Sequence, residues 1–109
     1  MSTAEPSAEI RKRIIAARDI QKGRFKGLRK VHGNATMRSK DMSKFCHLKE
    51  DAQSLLKMAI SELNFSARAY DRILKVSRTI ADLAGAEQIE SEHISEAIQY
   101  RTLDRQFWI

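Results

Sequence analysis

The sequence is poor in cysteine, proline, glycine and aromatic side chains. Its 109 residues include one cysteine, one proline and four glycines, and aromatic residues make up 6%. Cys46 alone cannot form an internal disulfide or a thiolate metal cage, which favours a reducing compartment such as the cytoplasm. So few glycines and prolines argue against a turn-rich β fold. Because no apolar run is long enough to span a bilayer and the first residues lack a signal-peptide core, we expect a cytoplasmic protein with no membrane partner.

Several motifs that bind nucleotides or metals are also missing. The sequence has neither the GxxxxGK[ST] phosphate loop nor the GxGxxG turn, so this chain alone is not expected to hydrolyse a nucleotide by those routes. His32, His47 and His93 fall in separate segments, and no pair has the spacing of metal ligands. Cys46 and His47 are neighbours that would point about 100° apart on a helix. We therefore predict no metal site, and a structural role for Cys46.

The positive charge is concentrated in the first half of the chain. Residues 1–48 contain twelve Lys or Arg and four Asp or Glu, whereas residues 49–109 contain eight and ten. This asymmetry indicates a polyanion or an acidic neighbour facing the first half. The candidate contacts to nucleic-acid phosphates are Arg11, Arg13, Arg18, Lys22, Arg24, Lys26, Arg29 and Lys30. A solvated helix face is the alternative, because few aromatic residues interleave with these charges to stack on bases.

Hydrophobic periodicity predicts an all-α fold, a compact bundle of about four to five helices. We expect a flexible lead-in at 1–6 and one domain at 7–109. Within it, a loosely packed basic helix and loop at 7–38 precede the core bundle at 39–105 and a tail at 106–109. The helices are predicted at 7–25, 40–47, 50–63, 66–85 and 92–101, with caps at Ser7, Ser66 and Ser91. Residues 26–38 are predicted to be a loop or partly disordered.

The segment 66–85, SARAYDRILKVSRTIADLAG, is the most informative one. Ser66 is a good N-cap and Gly85 a good left-handed C-cap. Arg68 falls in the first turn, where a cation gains little for the helix but adds to a site for an anion. The pattern thus predicts a phosphate contact at Arg68. The residues predicted to form its buried stripe are Ala67, Tyr70, Ile73, Leu74, Ser77, Ile80, Ala81 and Ala84.

The segments QSLLKMAISELNFSARAYDRILKVSRTIADLAG and EHISEAIQYRTLDR resemble a known pattern. They are similar to the C-terminal helical domain of AAA+ ATPases of the magnesium-chelatase type, in the branch that contains ComM and YifB. The resemblance extends more loosely to SAEIRKRIIAARDIQKGRF and to Asn34 and Ala35. It covers nearly the whole chain.

The resemblance implies a lid that folds over a nucleotide held by an upstream α/β domain. ATP and Mg²⁺ would be bound by that domain in a longer protein, and not tightly by this chain, which would be inactive alone. Arg68 occupies the position of the family's sensor 2 arginine, implying a catalytic contact to the γ-phosphate. Neighbouring subunits of a ring, and DNA in a competence- or recombination-related machine, are the other implied partners.

Several alternatives stay open from the residues themselves. Arg68 could be a solvated helix-start arginine, and Arg78 could support nucleotide binding, contact a neighbouring subunit or pair with Asp82 at i+4 on the surface. The chain could instead be a free-standing basic helical module that binds nucleic acid. It could also be a protein-interaction domain with no anion site.

Overall fold

The computed structural model describes residues 7–28, 31 and 33–107, with side chains to residue 100. Five α-helices and one short 3₁₀ turn follow one another along these residues. They are α1 (Ser7–Arg24), the 3₁₀ turn (Asn34–Thr36), α2 (Ser39–Phe45), α3 (Glu50–Glu62), α4 (Ala67–Leu83) and α5 (Ser91–Phe107). The predicted all-α bundle is confirmed. The predicted lead-in at 1–6, Arg29, Lys30, His32 and the last two tail residues lie outside the described residues.

The start and end of α4 follow the predicted capping chemistry. The Ser66 hydroxyl accepts a hydrogen bond from the Ala69 backbone N–H at 3.2 Å, which satisfies one unpaired donor of the first turn. Gly85 has φ of +74° just beyond the helix, and Asn64 closes α3 with φ of +55°. Both residues tolerate the left-handed conformation that these two helix ends require. The corner between α3 and α4 is therefore fixed by local chemistry.

The buried face of α4 is rotated from the predicted stripe. Ile73, Leu74, Ser77 and Ala81 are buried as expected, and Ile80 is half-buried. The prediction was wrong for three residues that are exposed: Ala67, Tyr70 and Ala84. The face instead includes Ala69, Arg78 and Asp82. Charged residues are expected to face solvent, because burying a charge is costly unless it is paired. Here Arg78 and Asp82 are buried as a pair.

The core lies among α3, α4 and α5, where α5 packs against both of the others. Ala52, Leu56, Ile73, Ala81 and Ile94 are each at most 1% exposed. The segments that lead into α3 and α5 run side by side. The Ile89 N–H donates to the His47 carbonyl at 3.1 Å, and the Lys49 N–H donates to the Ile89 carbonyl at 3.2 Å. These two bonds set the starts of the two helices beside each other, with Ile89 completely buried.

The basic first helix packs lightly, but the segment after it does not. Ala17 is the one buried residue within α1. By contrast, Phe25, Val31 and Met37 all belong to the main hydrophobic cluster. Within the segment predicted as a loop at 26–38, the described residues 26–28, 31 and 33–38 are irregular apart from the 3₁₀ turn, as the prediction expects. Val31 and Met37 of this segment are buried in the core, and Leu28 packs against it.

The last helix starts and ends differently from the prediction. The prediction placed its end near residue 101, but α5 continues to Phe107. Its first turn is closed by the Glu90 carbonyl, which accepts bonds from the His93 and Ile94 N–H groups. Glu90, not Ser91, therefore holds the cap position. None of the helices in the described part of the chain combines the length and apolar character needed to cross a bilayer.

Truncation of Leu56 tests this core. Leu56 is 1% exposed, so Leu56→Ala should lower the free energy of unfolding by about 2–5 kcal/mol, through lost burial and the cavity left behind. Met58→Ala, on the exposed side of the same helix, should change it by less than about 0.5 kcal/mol. Chemical denaturation measures both. Equal effects of the two substitutions would contradict this packing of α3.

Candidate functional site

Arg68 lies in the first turn of α4 and is exposed. It follows the Ser66 cap by two residues, and α4 has no acidic residue in its first turn. The partial positive charge of the helix start and the guanidinium therefore add, with no nearby acid on the same turn to cancel them. This end of α4 is a place where an anion would be attracted. Arg68 thus lies in the first turn as predicted, and its contact to a phosphate stays a prediction.

Arg78, the second predicted nucleotide contact, is buried in the core and only 2% exposed. Its Nη atoms donate to the carbonyls of Ala86 at 2.8 Å, Glu87 at 3.0 Å and Phe45 at 3.3 Å. Its Nη2 also lies 3.1 Å from Asp82 Oδ1. Burial lowers the pKa of Arg78 from its ordinary value, and the Asp82 carboxylate opposes that effect. A phosphate could reach this guanidinium only if those bonds were broken.

The two arginines consequently do not form one site. Ten residues at about 100° each leave Arg68 and Arg78 roughly 80° apart around the helix. Arg68 faces solvent and Arg78 faces the core, so the two do not share one side of α4. The predicted i+4 ion pair between Arg78 and Asp82 exists, but it is buried and not on the surface.

Asp82 is the centre of a buried polar cluster that the sequence did not reveal. Arg24 of α1 donates to both carboxylate oxygens of Asp82, at 2.7 and 2.8 Å. The Asn34 amide donates to Asp82 Oδ2 at 2.8 Å, while its oxygen accepts from Arg24 Nη1 at 2.9 Å. The side chain of Asp82 is 1% exposed and that of Arg24 is 12% exposed. We call Arg24, Asn34, Arg78 and Asp82 the Asp82 cluster.

Asn34 makes further hydrogen bonds that tie the Asp82 cluster to its surroundings, whereas the buried Arg78 Nε has no hydrogen-bond partner among the described residues. The Asn34 amide also donates to Thr79 Oγ1 at 3.1 Å, and its backbone N–H donates to Gln21 Oε1 at 3.0 Å. Asn34 therefore links α1, the 3₁₀ turn and α4. Arg24, which the charge pattern assigned to a nucleic-acid face, is instead engaged in the interior. That assignment needs correction, because the guanidinium would have to leave Asp82 to meet a phosphate.

Of the remaining residues predicted to contact nucleic acid, some lie on one common side of α1 and others do not. Arg11, Arg18 and Lys22 are exposed on α1, and their spacings of seven and four residues place them on one side of the helix. Arg13 is also exposed but forms a contact of its own. Lys26 is exposed after the helix ends. Three of the eight predicted contacts thus form one row along α1.

Cys46 and the two described histidines, His47 and His93, occupy separate environments. Cys46 is buried, and burial raises the pKa of its thiol to about 11, so it stays protonated at neutral pH. His47 beside it is exposed. The His93 Nδ1 accepts a hydrogen bond from the Glu90 N–H at 2.9 Å. Glu90, Glu92 and His93 have ligand atoms within 4.8 Å of one another. In neutral His93, however, the Nδ1 lone pair is used by the Glu90 N–H and the ring proton lies on Nε2, the nitrogen that faces Glu92. In this arrangement neither ring nitrogen is free to bind a metal ion.

Neutralising Asp82 tests the Asp82 cluster. Asp82→Asn keeps the shape but leaves two buried guanidinium groups without their carboxylate. Removing one partner of a buried ion pair typically costs about 3–5 kcal/mol of unfolding free energy. Asp19→Asn, at an exposed carboxylate of α1, should leave that free energy nearly unchanged. Urea denaturation of both variants measures the difference, and a near-neutral Asp82→Asn would show that the cluster does not hold the fold.

Comparison with known proteins places this architecture in a family. The family model "Magnesium chelatase, subunit ChlI C-terminal" matches residues 4–101. YifB of Salmonella typhimurium, itself called uncharacterized, is 41% identical over 104 residues, covering 95% of this chain and 20% of that protein. Competence protein ComM of Haemophilus influenzae is 42% identical over 101 residues, or 93% and 19% of the two chains.

The chain thus spans about a fifth of the length of these curated relatives. YifB of Escherichia coli is 39% identical over 101 residues, covering 93% of this chain and 19% of that protein. The matched region takes in α1 to α4 and most of α5, including the Asp82 cluster and Arg68. The resemblance inferred from the residues is confirmed, and the chain belongs to the family of magnesium chelatase ChlI C-terminal domains.

Proposed function

We propose that this chain is the lid domain of a magnesium-chelatase-like AAA+ ATPase and that Arg68 is its nucleotide-facing residue. The observation that carries the proposal is the exposed arginine in the first turn of a well-capped helix. A lid that acts in catalysis needs an exposed cation on a rigid element, because the charge that develops in the transition state is stabilised best by a group that is already in position. Arg68 meets that need, and the packed side of α4 holds the helix behind it.

The described residues fit one phosphate contact and not a complete nucleotide site. Arg68 is available to hold a terminal phosphate of ATP, whereas the guanidinium of Arg78 is already bonded to three carbonyls and a carboxylate. Mg²⁺-bound ATP supplies phosphoryl-transfer chemistry, in which charge on the transferring group is stabilised by cations. The rest of the binding would come from an upstream α/β domain and neighbouring subunits of a cytoplasmic ring. The isolated chain would then show no ATPase activity.

A second candidate function is binding of nucleic acid. The exposed row of Arg11, Arg18 and Lys22 favours it, because three cations along one helix side can follow a phosphate backbone. In the lid proposal Arg68 serves ATP turnover, and the row on α1 is a separate surface. In the alternative, the chain binds nucleic acid as a free-standing module, and Arg68 belongs to the same surface.

Substitution of Arg68 in a longer protein that carries this chain after an α/β ATPase domain tests the proposal. Arg68→Ala should reduce ATP turnover about 100-fold or more, as expected for loss of a charge contact in the transition state. Lys57→Ala, an exposed cation of α3, should leave turnover unchanged. A coupled steady-state assay measures both rates.

Two further measurements give this experiment its controls. Because Arg68 is exposed, the melting temperature should be the same in the Arg68→Ala variant and the parent protein. Affinity for duplex DNA should also stay the same. Full turnover in Arg68→Ala would refute the sensor assignment, and a loss of DNA affinity without a loss of turnover would favour the nucleic-acid module.

A further inference from the structure

An open apolar groove runs along α4 between α1 and α5. Its volume is about 600 Å³. Val76, Ile80 and Leu83 of α4 form its floor, Ile10 and Ile14 of α1 line one side, and Tyr100 of α5 lines the other. Four of these side chains are more than a third exposed: Ile10, Ile14, Leu83 and Tyr100. A contiguous exposed apolar surface of this kind typically marks an interaction site.

The shape of the groove suits a helix. Its floor extends over two turns of α4, from Val76 to Leu83, which is about 10 Å. α1 and α5 both pack against α4, so they form two walls on a helical floor. An amphipathic helix places residues at i, i+4 and i+7 on one side, and that row can enter such a groove. A helix of about two to three turns would match the length of this floor.

The charges around the groove specify what kind of helix fits. Arg11 and Arg18 lie one turn before and one turn after Ile14 on the exposed surface of α1, outside the lining of the groove, and Lys22 continues the same row. Arg13 and Lys75 line the groove itself. α1 as a whole carries six Lys or Arg and two Asp or Glu. On the opposite wall, Glu96 accepts a hydrogen bond from the Tyr100 hydroxyl at 3.1 Å.

We propose that this groove binds an amphipathic helix of a partner protein, with acidic residues along the side that faces α1. The apolar row of that helix would cover Ile10, Ile14 and Leu83. Its carboxylates would lie near the row of Arg11, Arg18 and Lys22, where opposite charges favour association and orient the helix. A basic helix would meet like charges in that position. This surface is separate from Arg68 and does not depend on nucleotide binding.

Two labelled synthetic peptides test the proposal with the intact chain. One carries leucines at every third or fourth position with glutamates between them, and the other replaces each glutamate with lysine. Fluorescence anisotropy should show binding of the acidic peptide, at least about tenfold tighter than that of the lysine peptide. Ile14→Ser should weaken acidic-peptide binding about tenfold or more, as truncation of a central anchor does. Ile15→Ser is the matched control: Ile15 is exposed on α1 but outside the groove, so binding should not change.

Further variants separate this occupant from others. Leu83→Ser repeats the test from α4, so the proposal does not rest on one variant folding well. Reversing Arg11, Arg18 and Lys22 to Glu should abolish acidic-peptide binding. The control variant reverses three exposed cations outside α1, Lys40, Lys44 and Lys57, to Glu. It has the same net charge as the first variant and should still bind the acidic peptide.

The opposing outcomes are specific. Equal binding of the two peptides, absence of binding, or binding that is insensitive to Ile14→Ser and Leu83→Ser would overturn the proposal. Sedimentation that shows a dimer broken by Ile14→Ser would make a second copy of this chain the occupant instead. Duplex DNA that competes with the acidic peptide and itself loses affinity in the Ile14→Ser variant would make the groove a nucleic-acid surface, and would also overturn it.

Discussion

Asp82 accepts hydrogen bonds from Arg24 and Asn34 and forms an ion pair with Arg78, and the position of α1 depends on these contacts. Arg24 comes from α1, Asn34 from the 3₁₀ turn and Arg78 from α4 itself. One buried carboxylate between two guanidinium groups leaves excess positive charge in the interior. Backbone carbonyls compensate for it, including that of Phe45 at the end of α2, where a helix carries partial negative charge.

This arrangement explains how a helix with so little buried surface is held in place. α1 contributes one buried residue, Ala17, which provides little apolar burial to fix a helix of 18 residues. The bidentate bond from Arg24 to Asp82 adds both strength and direction, because two parallel N–H···O bonds set the guanidinium orientation. The isoleucines of α1 can then remain exposed beside the groove. The polar cluster thus accounts for both the attachment of α1 and the open apolar surface next to it.

The sequence predicted the helices well and the buried charges poorly. Helix existence follows from local patterns: the Ser66 cap, Gly85 after α4 and the apolar spacing of α3 are all readable within one segment. The Asp82 cluster is not, because Arg24 and Asp82 are 58 residues apart and no local rule links them. A local pattern predicts that an isolated charged residue faces solvent. For this reason the predicted buried face of α4 left out Arg78 and Asp82, and Arg24 was predicted to contact nucleic acid. The i+4 spacing of Arg78 and Asp82 was the one signal available.

The central claim is that the Asp82 cluster holds α1 against α4, and hydrogen exchange of the backbone amides tests it directly. In Asp82→Asn, under conditions where most molecules remain folded, amides in the middle of α1 should exchange much faster than in the parent chain. Those in the middle of α3 and α5 should keep most of their protection, because their packing around Leu56 and Ile94 does not involve Asp82. Unchanged protection in α1, or an equal loss in all helices, would contradict the account.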